Sequence, residues 1–349
     1  MKILHLFPNE KFTVDYVERI KQLFDFKDHT FYIFNNQTRI CNSVDLPYDN
    51  VHWGEITDDS IKIRKLIEEN DRIILHNLTF NWFQLKTLIL FQKKLAKPYI
   101  WAIWGSDLYN EYKSNHLSLN PKRYMKECKR KKLIKNLYGV VACDDYPELL
   151  KRYKTTAKNF YAMYTYKFIK MMPYKSENNL IRIMVGHSAT DTCRHIDVFE
   201  KLKSFTDQIM VYCPLSYPDN KEYIRMVIER GNELFGKHFI PITKFMKYPE
   251  YVEFLNQIDI GIFNNNRQQG NGNITNLLYL GKKVYMATEN TLLKTYRDLG
   301  AVIYNYSQIE GSDLLMLLPD EVAAKNHQVV VDRYSDNNFY SSWNRVFTE

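Results

Sequence analysis

Residues 258–281 read Ile-Asp-Ile-Gly-Ile-Phe-Asn-Asn-Asn-Arg-Gln-Gln-Gly-Asn-Gly-Asn-Ile-Thr-Asn-Leu-Leu-Tyr-Leu-Gly and divide into three parts. Ile258 to Phe263 is short, apolar and β-branched, as in a buried strand. Asn264 to Gly272 is polar and contains two glycines, as in a loop of functional length. Residues 273–280 carry apolar side chains at helical spacing, and Gly281 ends them. The stretch therefore predicts a strand, a glycine-containing turn and a helix.

A turn of this kind suits a phosphate, because it directs free backbone N–H groups and the positive end of a helix dipole towards a ligand. Gly270 and Gly272 would let the backbone approach closely, and Arg267 adds a positive charge. The turn lacks the third glycine of the dinucleotide fingerprint and the Gly-Lys-Ser/Thr of a P-loop. An ordinary surface connection between a strand and a helix remains the alternative.

A second turn of the same kind strengthens the phosphate hypothesis. Ile181 to Val185 is a strand pattern, Gly186-His187-Ser188 and a polar turn follow it, and Cys193 to Phe205 opens a helix. Two strand–turn–helix units in one half of the chain predict a shared diphosphate site.

The alternation of strands and helices runs through all 349 residues and predicts an α/β fold with two doubly wound domains in tandem, facing a cleft. We expect an N-terminal domain at 1–165, a polar linker at 167–179 and a second domain at 180–330. Residues 331–349 should form a C-terminal helix that packs back towards the first domain. In the second domain we expect strands at 181–185, 208–213, 238–242, 258–263, 283–287 and 301–304, and helices at 193–205, 221–235, 249–257, 273–280 and 291–298.

The excess positive charge lies entirely in the first half of the chain. Residues 1–160 hold 27 Lys and Arg against 19 Asp and Glu, whereas residues 161–349 hold 21 of each. The two halves are therefore expected to face different partners.

Five scattered cysteines without a Cys-x-x-Cys pair predict reduced thiols in a cytoplasmic protein, without a zinc site. No apolar run is long enough for a transmembrane helix, and the N-terminus is too strand-like for a signal peptide.

The positive charge is concentrated in one predicted helix. Residues 122–135 contain eight Lys or Arg with one acid, Glu127, and a partial apolar side. A basic amphipathic helix can lie against anionic lipid headgroups, although a solvated helix face is the alternative. A nucleic-acid role is less favoured, because no DNA- or RNA-binding motif accompanies the helix. The membrane- and acceptor-facing residues are predicted to be Lys122, Arg123, Lys126, Lys129, Arg130, Lys131, Lys132 and Lys135.

Two residues at predicted strand ends of the first domain are candidates for catalysis. His76 ends the strand that begins at Arg72, and Asp107 follows the strand that ends at Ile103. Asp107 could accept the proton of an acceptor hydroxyl as a general base, with His76 as runner-up. Either residue could instead cap the helix that follows it. The acid pairs Asp58-Asp59 and Asp144-Asp145 lack the loop context of a divalent-cation site, so we predict no metal.

These pieces together resemble the TDP-N-acetylfucosamine:lipid II N-acetylfucosaminyltransferase family, glycosyltransferase family 56. The Arg-Gln-Gln-Gly-x-Gly block is the most distinctive match. The similar stretches are Trp101–Tyr109, Val185–Ser188 with Arg194–Ile196, Tyr217–Ile224 with Glu233–Phe235, Asp259–Phe263 with Arg267–Gly272, Glu289-Asn290 and Trp343.

The resemblance implies a GT-B fold and a glycosyltransferase that needs neither a metal ion nor a cofactor. It implies a nucleotide-sugar donor and, as the acceptor, a lipid-pyrophosphate-linked saccharide in bacterial surface polysaccharide synthesis. It places the protein at the cytoplasmic face of the membrane as a peripheral protein, with no nucleic-acid partner. Departures at His187, 189–193 and 273–274 leave dTDP and UDP both open. The donor-binding residues implied are Gly186, His187, Ser188, Arg194, Arg267, Gln268, Gln269, Gly270, Asn271, Gly272, Asn273 and Glu289. A non-catalytic nucleotide-sugar binder or scaffold on the same fold is the competing function.

Overall fold

The computed structural model describes residues 1–10, 13–34, 46–54, 60–109, 121–172, 174 and 179–349. The chain divides into two compact units: unit 1 is Met1–Tyr166 with Tyr334–Glu349, and unit 2 is Lys167–Arg333. Three predicted features lie outside the described residues, namely Cys41, the Asp58-Asp59 pair and much of the polar linker. No helix among the described residues is long and apolar enough to cross a membrane.

Unit 1 is built on a parallel sheet that has seven strands among the described residues, in the order β3-β2-β1-β4-β5-β6-β7. The strands are β1 (Ile3–Pro8), β2 (His29–Phe34), β3 (Val51–Gly54), β4 (Arg72–His76), β5 (Tyr99–Ala102), β6 (Gly139–Val141) and β7 (Lys158–Phe160). The helices are α1 (Thr13–Leu23), α2 (Ser60–Glu69), α3 (Trp82–Leu95), α4 (Ser106–Tyr109), α5 (Pro121–Lys135), α6 (Tyr146–Arg152) and α13 (Asp336–Thr348).

Both faces of this sheet are covered, as near-continuous apolar strands require. One core contains Leu88, Trp101 and Leu133, from α3, β5 and α5. The other contains Tyr16 of α1 and Trp343 of α13, whose rings lie 5.1 Å apart. Trp343 Nε1 also donates a hydrogen bond to the Met163 carbonyl at 2.9 Å. The C-terminal helix is therefore part of the core of unit 1.

Unit 2 has a parallel sheet with six strands among its described residues, in the order β10-β9-β8-β11-β12-β13. Its strands are β8 (Ile181–Val185), β9 (Ile209–Pro214), β10 (Phe239–Ile242), β11 (Ile260–Phe263), β12 (Lys283–Met286) and β13 (Tyr304–Asn305). Its helices are α7 (His195–Leu202), α8 (Lys221–Phe235), α9 (Tyr248–Gln257), α10 (Asn271–Tyr279), α11 (Leu292–Asp298) and α12 (Asp320–Arg333).

The elements differ from the prediction at a few ends. Helix α10 begins at Asn271 rather than at 273, because Gly270 adopts φ +74° and caps the helix from the left-handed region. The strand expected at 301–304 is only Tyr304–Asn305. Helix α12 was not predicted, because its polar sequence has weak apolar periodicity and only Asn326, Val330 and Arg333 are buried.

Candidate functional site

Strand register brings three turns of unit 2 to one place. β11 lies between β8 and β12, with Ile260 opposite both Ile183 and Lys283. The carboxyl ends of parallel strands meet at the same edge, where open α/β sheets bind ligands. The turn after β8 (186–194), the turn after β11 (264–270) and the turn after β12 (287–291) are therefore neighbours.

The turn after β8 depends on a glycine. Gly186 has φ +69°, and a Cβ atom there would lie 2.4 Å from His195 Nε2. Its N–H donates to the Ile262 carbonyl at 2.9 Å, which ties the turn to β11. His187 and Ser188 follow it and are buried. A side chain on residue 186 would thus both strain the backbone and displace His195.

Cys193 is a polar centre of this turn that the sequence analysis missed. Its Sγ lies 3.3 Å from Thr190 Oγ1 and 3.5 Å from His187 Nδ1, and Asn265 Nδ2 donates to it at 3.3 Å. Burial raises the pKa of the Cys193 thiol, but the charge and hydrogen bond of His187 outweigh it and bring the pKa to about 6. A scattered cysteine carries no motif, so only the fold shows this environment.

Gln269 ties the three turns together. Its Oε1 accepts hydrogen bonds from Thr192 Oγ1 at 2.7 Å and from Asn265 Nδ2 at 3.3 Å. Its backbone carbonyl accepts a third from Asn290 Nδ2 at 3.1 Å. The predicted site residue Gln269 therefore fixes the arrangement of the turns after β8, β11 and β12.

Buried polar groups face this junction. Asn265 is fully buried, and its Oδ1 has no hydrogen-bond partner among the described residues. Gly270, with its positive φ, lies against His187: a Cβ there would be 3.4 Å from His187 Nδ1. The first turn of α10, which contains Asn271, Gly272 and Asn273, follows directly. The predicted residues of the two glycine turns are thus brought together.

Two predicted residues of opposite charge form an ion pair at the rim. Arg194 Nη1 donates to Glu289 Oε1 at 3.1 Å, and both side chains are partly exposed. A backbone N–H and Arg194 lower the pKa of Glu289. Arg267 and Gln268 are half-buried in the turn after β11. The rim therefore carries two guanidinium groups and one carboxylate.

In unit 1 the structure corrects the role predicted for Asp107. The side chain is fully buried. Its Oδ2 accepts from Trp101 Nε1 at 2.7 Å and from the Leu78 N–H at 3.0 Å, and its Oδ1 accepts from the Trp104 N–H at 2.9 Å. Burial raises the pKa of Asp107, and Arg130 opposes that shift. Asp107 joins the ends of β4 and β5 and is not offered to a substrate as a base.

His76 is likewise fully buried at the end of β4, so it cannot contact a substrate directly. Its Nδ1 lies 2.6 Å from the Tyr164 hydroxyl, and its Nε2 lies 3.0 Å from His5 Nδ1. Both ring nitrogens are therefore committed to other side chains. This arrangement does not favour His76 as the group that contacts the acceptor, and its role as the base stays a prediction.

The basic helix α5 also contains one wrong prediction. Arg130 is buried, donates to the backbone carbonyl of Asp107 and stacks 5.2 Å from the Trp101 ring, so it belongs to the core. Lys126 and Lys129 are half-buried. The other five predicted residues are exposed: Lys122, Arg123, Lys131, Lys132 and Lys135.

Within the described parts of the chain, no group of three or more His, Cys, Asp and Glu side chains could hold a metal ion. Asp144 and Asp145 lie in a short turn after β6, where Asp145 accepts a hydrogen bond from the Tyr109 hydroxyl at 2.8 Å. The Asp145 carboxylate therefore has a structural partner.

Comparison with known proteins gives one family and many similar folds. Residues 17–348 match the family described as 4-alpha-L-fucosyltransferase, glycosyl transferase group 56. Among solved structures, the trehalose-6-phosphate phosphatase N-terminal domain of Candida albicans has a TM-score of 0.65 at 11% identity, covering 99% of this chain and 96% of that one. A glycosyltransferase from Rickettsia africae has 0.64 at 12%, covering 99% and 97%.

A third structure, Anabaena HepE in complex with UDP, has a TM-score of 0.63 at 10% identity and covers 99% of both chains. At such identities the likeness concerns the fold alone. Together with the two parallel, helix-covered sheets, it confirms the predicted GT-B architecture.

Proposed function

The chain belongs to glycosyltransferase group 56 and is a glycosyltransferase, and from that premise we propose that its donor is a sugar linked to dTDP or UDP. The observation that carries this proposal is the junction of three turns in unit 2. The Oδ1 atom of Asn265 is buried beside it and has no hydrogen-bond partner in the described part of the chain. A buried polar atom without a partner costs about 1–3 kcal/mol, which a polar ligand would offset.

The donor diphosphate would bind at the two glycine turns. Backbone N–H groups at the start of α10 point out of the helix end, and the helix dipole favours an anion there. Arg267 and Arg194 supply positive charge, and Glu289 would bind the sugar or the ribose. Catalysis would then come mainly from positioning the donor and from stabilising the charge that grows on the departing diphosphate. We propose that this needs no metal ion.

The nucleobase would bind along the same edge of the sheet, near residues 242–248. Phe245 lies beyond the end of β10 and is 80% exposed, an unusual position for a large aromatic side chain. Tyr217 lies beyond the end of the neighbouring strand β9, and its carbonyl accepts a hydrogen bond from the Ala189 N–H at 2.6 Å. A planar base could stack on either ring. The Anabaena protein, which has a similar fold, forms a complex with UDP, and this supports a nucleotide ligand for the present chain.

We further propose that the acceptor is a saccharide on a lipid pyrophosphate and that unit 1 docks on the cytoplasmic face of an anionic membrane. The exposed lysines of α5 are one part of this surface. Helix α3 packs beside α5 and exposes Phe83 and Leu90, seven residues apart and therefore on one face. Lys129 Nζ lies 5.0 Å from the Trp82 ring and joins the two helices. Apolar side chains flanked by lysines suit a lipid interface.

A thermal-shift screen with dTDP, UDP, GDP and CMP, with and without Mg²⁺, tests the donor site. A ligand at 100 times its dissociation constant stabilises the folded state by about 2.7 kcal/mol. We expect dTDP or UDP to stabilise wild type without Mg²⁺, and Arg267→Ala to lose most of that shift. Arg225→Ala removes an exposed arginine elsewhere in unit 2 and should keep it. Stabilisation by none of the four nucleotides, or equally in both variants, would remove the donor site from these turns.

A further inference from the structure

Three histidines of unit 1 form a continuous hydrogen-bonded chain that ends at a tyrosine. His29 Nδ1 lies 3.0 Å from His5 Nε2, and His5 Nδ1 lies 3.0 Å from His76 Nε2. His76 Nδ1 lies 2.6 Å from the Tyr164 hydroxyl. The three histidines are at most 4% exposed, whereas Tyr164 is half-buried.

Strand register explains why these side chains meet. His5 on β1 is opposite Phe31 on β2 and Ile74 on β4. His29 and His76 are each two residues from those partners, in opposite directions, so the three histidines lie on a diagonal of one sheet face. The chain therefore runs from the amino edge of the sheet at His29 to its carboxyl edge at His76. The carboxyl edge is where a parallel sheet binds ligands.

Burial keeps the three rings neutral. It lowers the pKa values of His5 and His76 well below the ordinary value and that of His29 to about 4, although the Asp28 carboxylate opposes the shift at His29. A neutral imidazole has one N–H, so every hydrogen bond along the chain must run in the same direction. The three histidines must therefore share one tautomer. Reversal of one hydrogen bond reverses all of them.

We propose that Tyr164 is the residue that takes the proton from the acceptor hydroxyl, and that His76, His5 and His29 relay a proton away from it. This inference rests on the proposed sugar transfer. It gives a role to a buried polar chain that the donor site does not use. Tyr16 adds a second polar group beside the Tyr164 end of the chain, since the centroids of the two rings lie 5.3 Å apart. The Tyr16 hydroxyl is buried and has no hydrogen-bond partner among the described residues.

Sugar transfer and proton transfer are coupled in this step. The acceptor oxygen bonds to the anomeric carbon while the bond from that carbon to the diphosphate breaks, and the diphosphate keeps the electron pair. The acceptor hydrogen moves to the Tyr164 oxygen, and the Tyr164 hydrogen moves to His76 Nδ1. His76 Nε2 passes its hydrogen to His5 Nδ1, His5 Nε2 passes its own to His29 Nδ1, and His29 Nε2 releases one proton to water. The chain is reset when water takes the Tyr164 hydrogen and reprotonates His29.

The relay predicts a spectroscopic property of the wild-type protein. With ¹⁵N-histidine labelling, His5, His29 and His76 should show one common tautomer by NMR. Tyr164→Phe should change the signals of His29, three hydrogen bonds away, while His52 on β3 should not respond. Different tautomers among the three, or a His29 signal that ignores Tyr164→Phe, would show that the chain is not coupled.

Kinetics then test proton transfer, with dTDP- and UDP-linked sugars as donors and a bacterial lipid extract as the acceptor. Loss of the base should lower kcat about 10²–10⁴-fold in Tyr164→Phe. His29→Gln should lower kcat less than Tyr164→Phe does and should leave KM unchanged. In wild type, the rate should depend on the D₂O fraction along a curve, because several protons move together. In His29→Gln this dependence should become linear. The matched controls are His52→Gln and Tyr99→Phe. The latter removes a buried hydroxyl on the other sheet face that has no hydrogen-bond partner among the residues the structure describes.

The outcomes separate the relay from the proposed function. If a folded His29→Gln protein keeps the kcat and the D₂O dependence of wild type, the relay is overturned but the proposed sugar transfer is not. Absence of nucleotide binding in the thermal-shift screen would overturn the donor proposal, and the NMR result would still decide whether the histidines are coupled. A melting curve of each variant shows whether it is folded.

Discussion

Thr192 Oγ1 donates a hydrogen bond to Gln269 Oε1 at 2.7 Å, and this bond joins the turns that follow β8 and β11. The two residues are 77 positions apart in the sequence. The strands that carry them are neighbours, so one amide can hold both turns in register. The geometry of the candidate donor site therefore depends on a side chain that need not itself contact the diphosphate.

We expect Gln269→Ala to weaken binding of dTDP or UDP. Each neutral hydrogen bond contributes about 1 kcal/mol, so loss of the bond to Thr192 should lower affinity about fivefold. Isothermal titration calorimetry measures the effect. Gln257→Ala, at the exposed end of α9, is the control. An unchanged affinity for Gln269→Ala would mean that the turns keep their geometry without this tie.

Cys193 should titrate as a thiolate with a midpoint near pH 6, because His187 stabilises its charged form. Thiolate absorbance near 240 nm, taken as the difference between wild type and Cys193→Ser, measures this midpoint. A pKa lowered on folding stabilises the protein above the pKa of the unfolded thiol. That stability is lost as the pH falls through about 6. The unfolding free energy of wild type relative to Cys193→Ser should thus decrease from pH 9 to pH 6, and a flat difference would contradict the shift.

Asp107→Asn should destabilise unit 1 by about 1–3 kcal/mol, because one buried N–H donor would face an amide N–H₂ group. The rate of sugar transfer per folded molecule should change far less than the 10²–10⁴-fold expected for a general base. Chemical denaturation and initial rates measure the two effects. Asp71→Asn, where the exposed carboxylate accepts from the Lys2 N–H at 2.8 Å, is the control. A large rate loss without destabilisation would restore Asp107 as a candidate base.

Trp343→Ala should cost about 3–5 kcal/mol, since the ring is fully buried between α1 and the sheet. Tyr340→Ala on the same helix should cost much less, because Tyr340 is 45% exposed. Urea denaturation followed by far-UV circular dichroism compares the two. Equal costs would mean that α13 is not part of the core of unit 1.

Membrane binding can be tested by vesicle flotation. Replacement of Lys122, Lys131, Lys132 and Lys135 by Gln should release the protein from phosphatidylglycerol vesicles, at about 1 kcal/mol for each lysine. Arg130 is left in place because it is buried. The control replaces four exposed lysines of unit 2, namely Lys221, Lys237, Lys294 and Lys325. Equal loss in both variants would indicate a general charge effect, and no loss in the first would exclude α5 from the interface.

The sequence by itself determined the class of fold and the location of the two glycine turns of unit 2. Short β-branched runs alternating with helical periodicity are local signals, and a glycine at a turn is a local requirement, so local pattern alone was enough to identify Gly186 and Gly270. The distinctive block at 267–272 led to the glycosyltransferase family, which the match over 17–348 confirms. The prediction of the dTDP or UDP donor and of the acceptor remains a proposal.

Only the tertiary structure decided which polar side chains are buried and which meet. In the sequence Arg130 is indistinguishable from the other basic residues of its helix. In the fold it packs on Trp101, a residue 29 positions earlier. The sequence predicts that Asp107 is a base or a helix cap. In the fold its oxygens accept hydrogen bonds from the Trp101 side chain on β5 and from backbone N–H groups that follow β4 and β5. Cys193 and the chain of His29, His5 and His76 carry no motif. The contacts among the three histidines, and the contact of Cys193 with Asn265, come from strand register. Register is fixed by packing of the whole sheet, and no local pattern encodes it.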